Sequence, residues 1–139
     1  PSGTNKVCFV TIDDFGGGGD PVFLSYNTQQ QDPRLILFLQ GPSVGRTLPR
    51  IQEFNPVKGQ HHTVELYFKS NTADGVADGI AQMWVDDNLI TDVSDVEFWN
   101  GASAGKFNAV KLEPTWGGSG GVVVDPFSLY HDQIYVAGQ

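Results

Sequence analysis

The sequence predicts an all-β protein, an antiparallel β-sandwich with little or no helix. Three observations carry that expectation. Short apolar and β-branched runs recur along the chain, clusters of Gly, Pro, Asn and Asp separate them, and helical periodicity is scarce. At 139 residues the chain has the size of one domain spanning 1–139, long enough to bury a core and too short for two independent ones.

The expected elements follow in chain order. A first strand over 6–12 contains Cys8, read as a small buried hydrophobe within VCFVTI; with one cysteine no intrachain disulfide forms. Strands over 22–26 and 35–40 come next. The run LILFLQ in the latter does not alternate, the pattern of a central strand buried on both faces. Over 63–70, Val64, Leu66 and Phe68 alternate with Thr63, Glu65, Tyr67 and Lys69, which predicts one apolar face and one polar face with an aromatic ring in its middle. Strands over 80–85 and 89–92 form a hairpin with Asp87-Asn88 at its turn, because Asn tolerates the left-handed backbone of tight turns. The Ala and Met of GVADGIAQMW could also be scored as helix, but the flanking glycines and the hairpin favour strand. Strands over 107–113, 121–124 and 128–136 complete a set of roughly nine. Gly16–Gly19 and the WGGSGG run at 116–121 read as surface loops, and Trp84, in mid-strand, reads as core.

Charge narrows the partners. The net charge is −8, and residues 70–139 hold ten acids against Lys106 and Lys111. Nucleic acid and anionic membrane both require a basic footprint, so neither is expected as a partner. No uncharged apolar run approaches the roughly 20 residues that span a bilayer, so membrane insertion is not expected either. Neutral glycans, calcium and other proteins remain.

The order of several short motifs resembles the concanavalin-like jelly rolls of polysaccharide lyases and the lectin-like domains of phage and environmental bacterial proteins. They are QHHTVELYFKSNTADGVADGIAQMWVDDNLI, then FNAVKLEPTWGG, then SLYHDQIYV, with NKVCFVTIDD before them. The likeness touches 5–12 and 60–136 and implies an antiparallel jelly-roll β-sandwich. The hairpin departs from it, with Asp87-Asn88 where Asp-Gly is commoner. The chain also starts where such a family would already have completed one or two strands, which implies a jelly roll lacking an N-terminal strand or completed by another chain. An absent strand would leave an open sheet edge that invites pairing with a neighbour and hence self-association.

Candidate site residues follow from side-chain chemistry. A polysaccharide lyase acting by β-elimination needs a group to neutralise a carboxylate, a base beside it and an acid for the leaving oxygen. Lys58, His61, His62, Tyr67, Lys69, Lys111, Tyr130 and His131 have the right chemistry, and Arg46, Arg50, Lys58, His61 and His62 form the one basic stretch. His61 and His62 read more simply as turn or edge residues at the start of a strand, so no catalytic residue is assigned. Sugar binding needs an aromatic face beside hydrogen-bonding groups. Tyr67, Lys69, Asn108, Trp116 and Tyr130 are the expected ligand-binding set, with Trp116 at the head of a Gly-rich loop as the preferred ring and Trp99 as a further aromatic. For calcium, Asn71, Asp74, Asp78, Asp86 and Asp87 offer hard oxygen ligands in two loops, although their spacing is not that of an EF-hand and acidic turn residues are ordinary. No other cofactor is implied: phosphate loops, Ser-His-Asp signatures and zinc spacings are missing.

These observations favour a non-catalytic carbohydrate-binding or adhesion module, with an extracellular or virion-surface setting. The alternatives are a structural subunit of an assembly, such as a virion decoration or appendage protein, and a polysaccharide lyase.

Overall fold

The computed structural model describes residues 4–12, 21–27, 34–39, 54–57, 59–98, 107–117 and 130–138, with no helix among them. Among the described residues seven strands are present: β1 (Thr4–Ile12), β2 (Pro21–Asn27), β3 (Arg34–Leu39), β4 (Val64–Lys69), β5 (Gly79–Val85), β6 (Asn88–Val96) and β7 (Phe107–Gly117). They form a four-stranded sheet in the order β3-β2-β1-β7 and a three-stranded sheet in the order β4-β5-β6. Every pairing is antiparallel.

The two sheets meet through one apolar core. Ala81, Met83 and Val85 of β5 and Val93 and Val96 of β6 pack with Phe98 and with Leu37 of β3. Val64, Leu66 and Phe68 of β4 close the same core, joined by Leu35, Phe54, Ile90 and Phe107. An aromatic trio links the layers. Phe107, from the four-stranded sheet, lies 5.1 Å from Phe98 and 5.7 Å from Phe68, centroid to centroid.

Several expectations change in register or extent. The third strand is buried on both faces as read, since neighbouring Ile36 and Leu37 are both buried. Its place differs: β3 is the outermost named strand of its sheet, not a central one, and its other edge meets Phe54 through a bridge at Leu35. Strand β6 runs on to Val96, past the expected 92. Buried Thr91, Val93 and Val96 hold it in place, and a register shift between Gly79 and Ala81 of β5 absorbs the Ser94-Asp95 pair. Burial here outweighs the turn-like composition of TDVSD.

The expected strand end near 113 and loop at 116 give way to a longer β7 that includes Pro114 and Trp116, with Trp116 opposite Asn5. A ladder tolerates proline only at an edge or a bulge, and β7 supplies both. It ends its sheet among the named strands, and its register against β1 shifts between Lys6 and Cys8. In the expected last strand, residues 130–136 are not strand: Gln133 has φ of 51°, and Tyr130 and Tyr135 are 88% and 87% exposed. The expected strand at 121–124 and the glycine loop at 16–19 lie outside the described residues, as does the Cys8 side chain.

Candidate functional site

The period-two alternation of β4 and β5 sorts their side chains onto two faces. Val64, Leu66, Phe68, Ala81, Met83 and Val85 point inward. Glu65, Tyr67 and Lys69 of β4, with Ile80, Gln82 and Trp84 of β5, therefore share the outer face. The register sets them in rows: Glu65 opposite Trp84, Tyr67 opposite Gln82, and Lys69 opposite Ile80. Strand β6 extends two rows, with Leu89 opposite Trp84 and Asp92 opposite Gln82.

Trp84 thus belongs to this outer face and not to the core, contrary to the expectation from its mid-strand position. It is half-buried and absent from the core cluster. The sequence held the signal, because Trp84 shares parity with Gln82, while Ala81, Met83 and Val85 form the apolar set.

The centre of the face is polar and ordered. Gln82 donates from Nε2 to Asp92 Oδ1 at 2.7 Å. A carboxylate only accepts, so the amide orientation follows: Nε2 faces Asp92 and Oε1 turns away. Tyr67, 44% exposed, lies beside Gln82, with Trp84 on the diagonal. Diagonal neighbours on a sheet lie roughly 7–8 Å apart, within reach of two large rings. Leu89, also 44% exposed, continues the apolar strip beside Trp84.

His61 and His62 differ in environment. His61 is exposed, whereas His62 is held on three sides. Its Nε2 accepts the Val57 backbone N–H at 3.1 Å, and its Nδ1 lies 2.7 Å from Asp86 Oδ2. The Phe54 ring meets its edge at a centroid distance of 5.0 Å. Because Nε2 accepts, the proton sits on Nδ1 and is donated to Asp86. Neither ring nitrogen is left to take a substrate proton. Asp86 stands 24 positions from His62 in the sequence, and only the fold joins them.

Asp86 organises this end of the sheet. It and Asp87 are the central residues of the β5–β6 turn, with φ of 49° and 63°, and Asn88 is the first residue of β6. Two successive left-handed residues define the hairpin turn that matches strand twist, so the expected Asp87-Asn88 turn is displaced by one position. Asp86 Oδ1 accepts the Thr63 N–H at 3.0 Å, the Asp86 N–H donates to Thr63 O, and Asn88 Nδ2 donates to Asp86 O at 2.8 Å. These bonds, that to His62 first and that to Thr63 second, hold the Asp86 carboxyl below its ordinary 3.8. The linkage sign follows from the depressed value: the stabilisation is complete above the unfolded pKa and is lost as pH falls through the lower folded one. Asp86→Asn keeps a residue suited to the left-handed backbone and removes the charge. Its melting temperature is expected to lie below that of the parent at neutral pH, with the gap closing below about pH 4; a gap unchanged by acid would show that the charge contributes nothing.

The two loops that hold the candidate calcium ligands lie apart. Asn71 is buried and accepts the Phe98 N–H at 3.0 Å while donating to Ala73 O at 2.7 Å. Both oxygens of Asp78 are committed to Thr72, one to its N–H at 2.8 Å and one to its hydroxyl at 2.6 Å. Asp86 lies at the opposite end of β5, more than about 20 Å from Asp78 at the usual rise per residue. Among the described residues no three His, Cys, Asp or Glu side chains are grouped to hold a metal ion.

Of the expected ligand-binding residues, Tyr67 and Lys69 come together on the outer face. Tyr130 lies outside every strand. Asn108 and Trp116 are strand positions of β7, in the other sheet, and their side chains lie outside the described residues. Trp116 is therefore not the head of a loop. Arg46, Arg50, Lys58 and Trp99 also lie outside the described residues.

No family model matches the chain, and no curated protein matches it. Among solved structures, an alginate lyase superposes with a TM-score of 0.61 at 21% identity, covering 85% of this chain and 54% of the other. The chain thus spans about half the length of that lyase. At this identity the likeness speaks to architecture alone, and with the sheet order above it establishes the antiparallel jelly-roll β-sandwich.

Proposed function

We propose that the outer face of β4–β5–β6 is a carbohydrate-recognition surface that binds its ligand without cleaving it. The carrying observation is Tyr67, a large exposed ring on a regular sheet, flanked by Trp84 and by the ordered Gln82–Asp92 pair. A pyranose presents C–H groups on its faces and hydroxyls around its rim, and aromatic rings beside fixed polar groups complement both. Trp84 takes the place that sequence reasoning assigned to Trp116. The superposed protein is by its name an alginate lyase, so a polysaccharide ligand is compatible with the fold.

The engagement of His62 supports binding over catalysis, and because exposed Tyr67 also has the chemistry of a base, product analysis decides between them. A β-elimination needs a base that can reach the substrate, and both nitrogens of this ring are engaged by Val57 and Asp86. Lys69 is the one cation on the described outer face.

Truncating Trp84 to alanine is expected to weaken oligosaccharide binding at least about ten-fold, the scale of an aromatic hot spot. Tyr67→Ala, at an exposed position, should weaken binding without disturbing the fold. Tyr135→Ala, an equally large exposed ring outside the sheet, should leave affinity unchanged. Isothermal titration against an oligosaccharide panel, with product analysis by ultraviolet absorbance, tests both parts. Accumulation of unsaturated product would refute the non-catalytic assignment, and affinities indifferent to Trp84 and Tyr67 would refute the surface.

A further inference from the structure

We infer that this face selects neutral hexose polymers and rejects polyuronates, an inference that rests on the carbohydrate reading above. Hydrogen-bond polarity carries it. With Nε2 of Gln82 directed at Asp92 Oδ1, the oxygens Gln82 Oε1 and Asp92 Oδ2 make no hydrogen bond among the described residues. Both only accept. Glu65, in the neighbouring row opposite Trp84, adds two further accepting oxygens.

Strands lie about 4.8 Å apart and alternate side chains on one face about 6.6 Å apart. A sugar ring resting on Trp84 therefore has its rim within reach of Gln82, with Glu65 on one flank and Asp92 on the other, and only a ring on Tyr67 also comes beside Lys69. Sugar hydroxyls donate into such a surface, and a primary hydroxyl donates where a uronate offers another acceptor. A uronate carboxylate would face accepting oxygens without a proton between them.

Charge points the same way. Within the three rows named above, Glu65 and Asp92 against Lys69 leave one more acid than base, and exposed Asp95 of β6 adds no positive charge. The Lys69 charge is shared, for it also acts on Asp78, whose carboxyl is held below its ordinary range first by the Thr72 bonds and then, after an opposing burial effect, by Lys69. A polyanion with a carboxylate on every residue thus meets net repulsion in a site closer than the screening length of about 10 Å at moderate salt.

The test compares matched ligands. Hexamers of β-linked mannan and glucan are titrated beside their counterparts in which each primary hydroxyl is oxidised to a carboxylate, so that only this group differs. The neutral member of a pair is expected to bind at least about ten-fold more tightly at low ionic strength. Added salt should narrow the gap by improving uronate affinity, as should Asp92→Asn and Glu65→Gln. If a uronate hexamer binds as tightly as its neutral partner, and Trp84→Ala still abolishes that binding, the selectivity is overturned while carbohydrate recognition stands. If no hexamer binds, or binding ignores Trp84→Ala, carbohydrate recognition at this face fails and the selectivity falls with it.

Discussion

Replacing Met83 with alanine is expected to lower stability by about 3 kcal/mol, within the range for deleting a large side chain from a packed core. Met83 is 0% exposed in the middle of β5, the central strand of the three-stranded sheet. It lies opposite buried Thr91, in the same cluster as Val85, Val93, Val96 and Phe98. Its removal takes away contacts on every side, and the paired strands β4 and β6 keep the backbone from collapsing into the space. For a chain of this length a loss of that size corresponds to a fall in melting temperature of roughly 10 °C. Met83→Leu, which conserves volume, should cost less than about 1.5 kcal/mol. Urea denaturation measures both. A midpoint shift at unchanged slope would locate the effect in the folded state, and an alanine variant as stable as the leucine variant would contradict the packing described for β5.

Gly79→Ala is the second large effect, a loss of about 2 kcal/mol or more from one added methyl group. A Cβ built at Gly79 would stand 2.6 Å from the Val96 carbonyl oxygen and 2.6 Å from the Phe98 ring. Neither neighbour yields readily. Val96 is paired with Gly79 across the β5–β6 register, and Phe98 is 3% exposed, wedged edge-on to Phe107 with its N–H held by Asn71. Displacing the Phe98 ring would disturb the aromatic trio that joins the sheets. The glycine is thus required by close approach and not by a turn. Denaturation of Gly79→Ala beside Gly138→Ala, where an added Cβ meets nothing within 4 Å, separates the steric cost from any general cost of losing glycine. Equal stability of the two variants would remove the steric account.

Much of the candidate site was legible in the chain. The alternation of Val64, Leu66 and Phe68 with Glu65, Tyr67 and Lys69 placed Tyr67 on a polar face, and the structure keeps it there. The same alternation in β5, read with equal weight, would have put Trp84 beside it. What misled was residue type, since a tryptophan in mid-strand is usually core. The Trp116 assignment failed for the opposite reason. The glycines after it suggested a loop, and pairing with Asn5 carries the strand through to Gly117.

The class of fold and the two faces of β4 could be read from the residues alone. Those follow from local periodicity and turn composition, which are printed residue by residue along the chain. Which distant groups meet depends on the folded arrangement: His62 with Asp86, Asn71 with Phe98, and Gln82 with Asp92. The first two pairs lie 24 and 27 positions apart and depend on how strands are registered. Register is a cooperative property of two chain segments and a turn, and a single displaced turn residue, Asp86 for Asn88, changes every partner across the hairpin. That is why His62, a plausible base on composition, is bound at both ring nitrogens in the fold, and why the site centres on a pair that neither strand reveals alone.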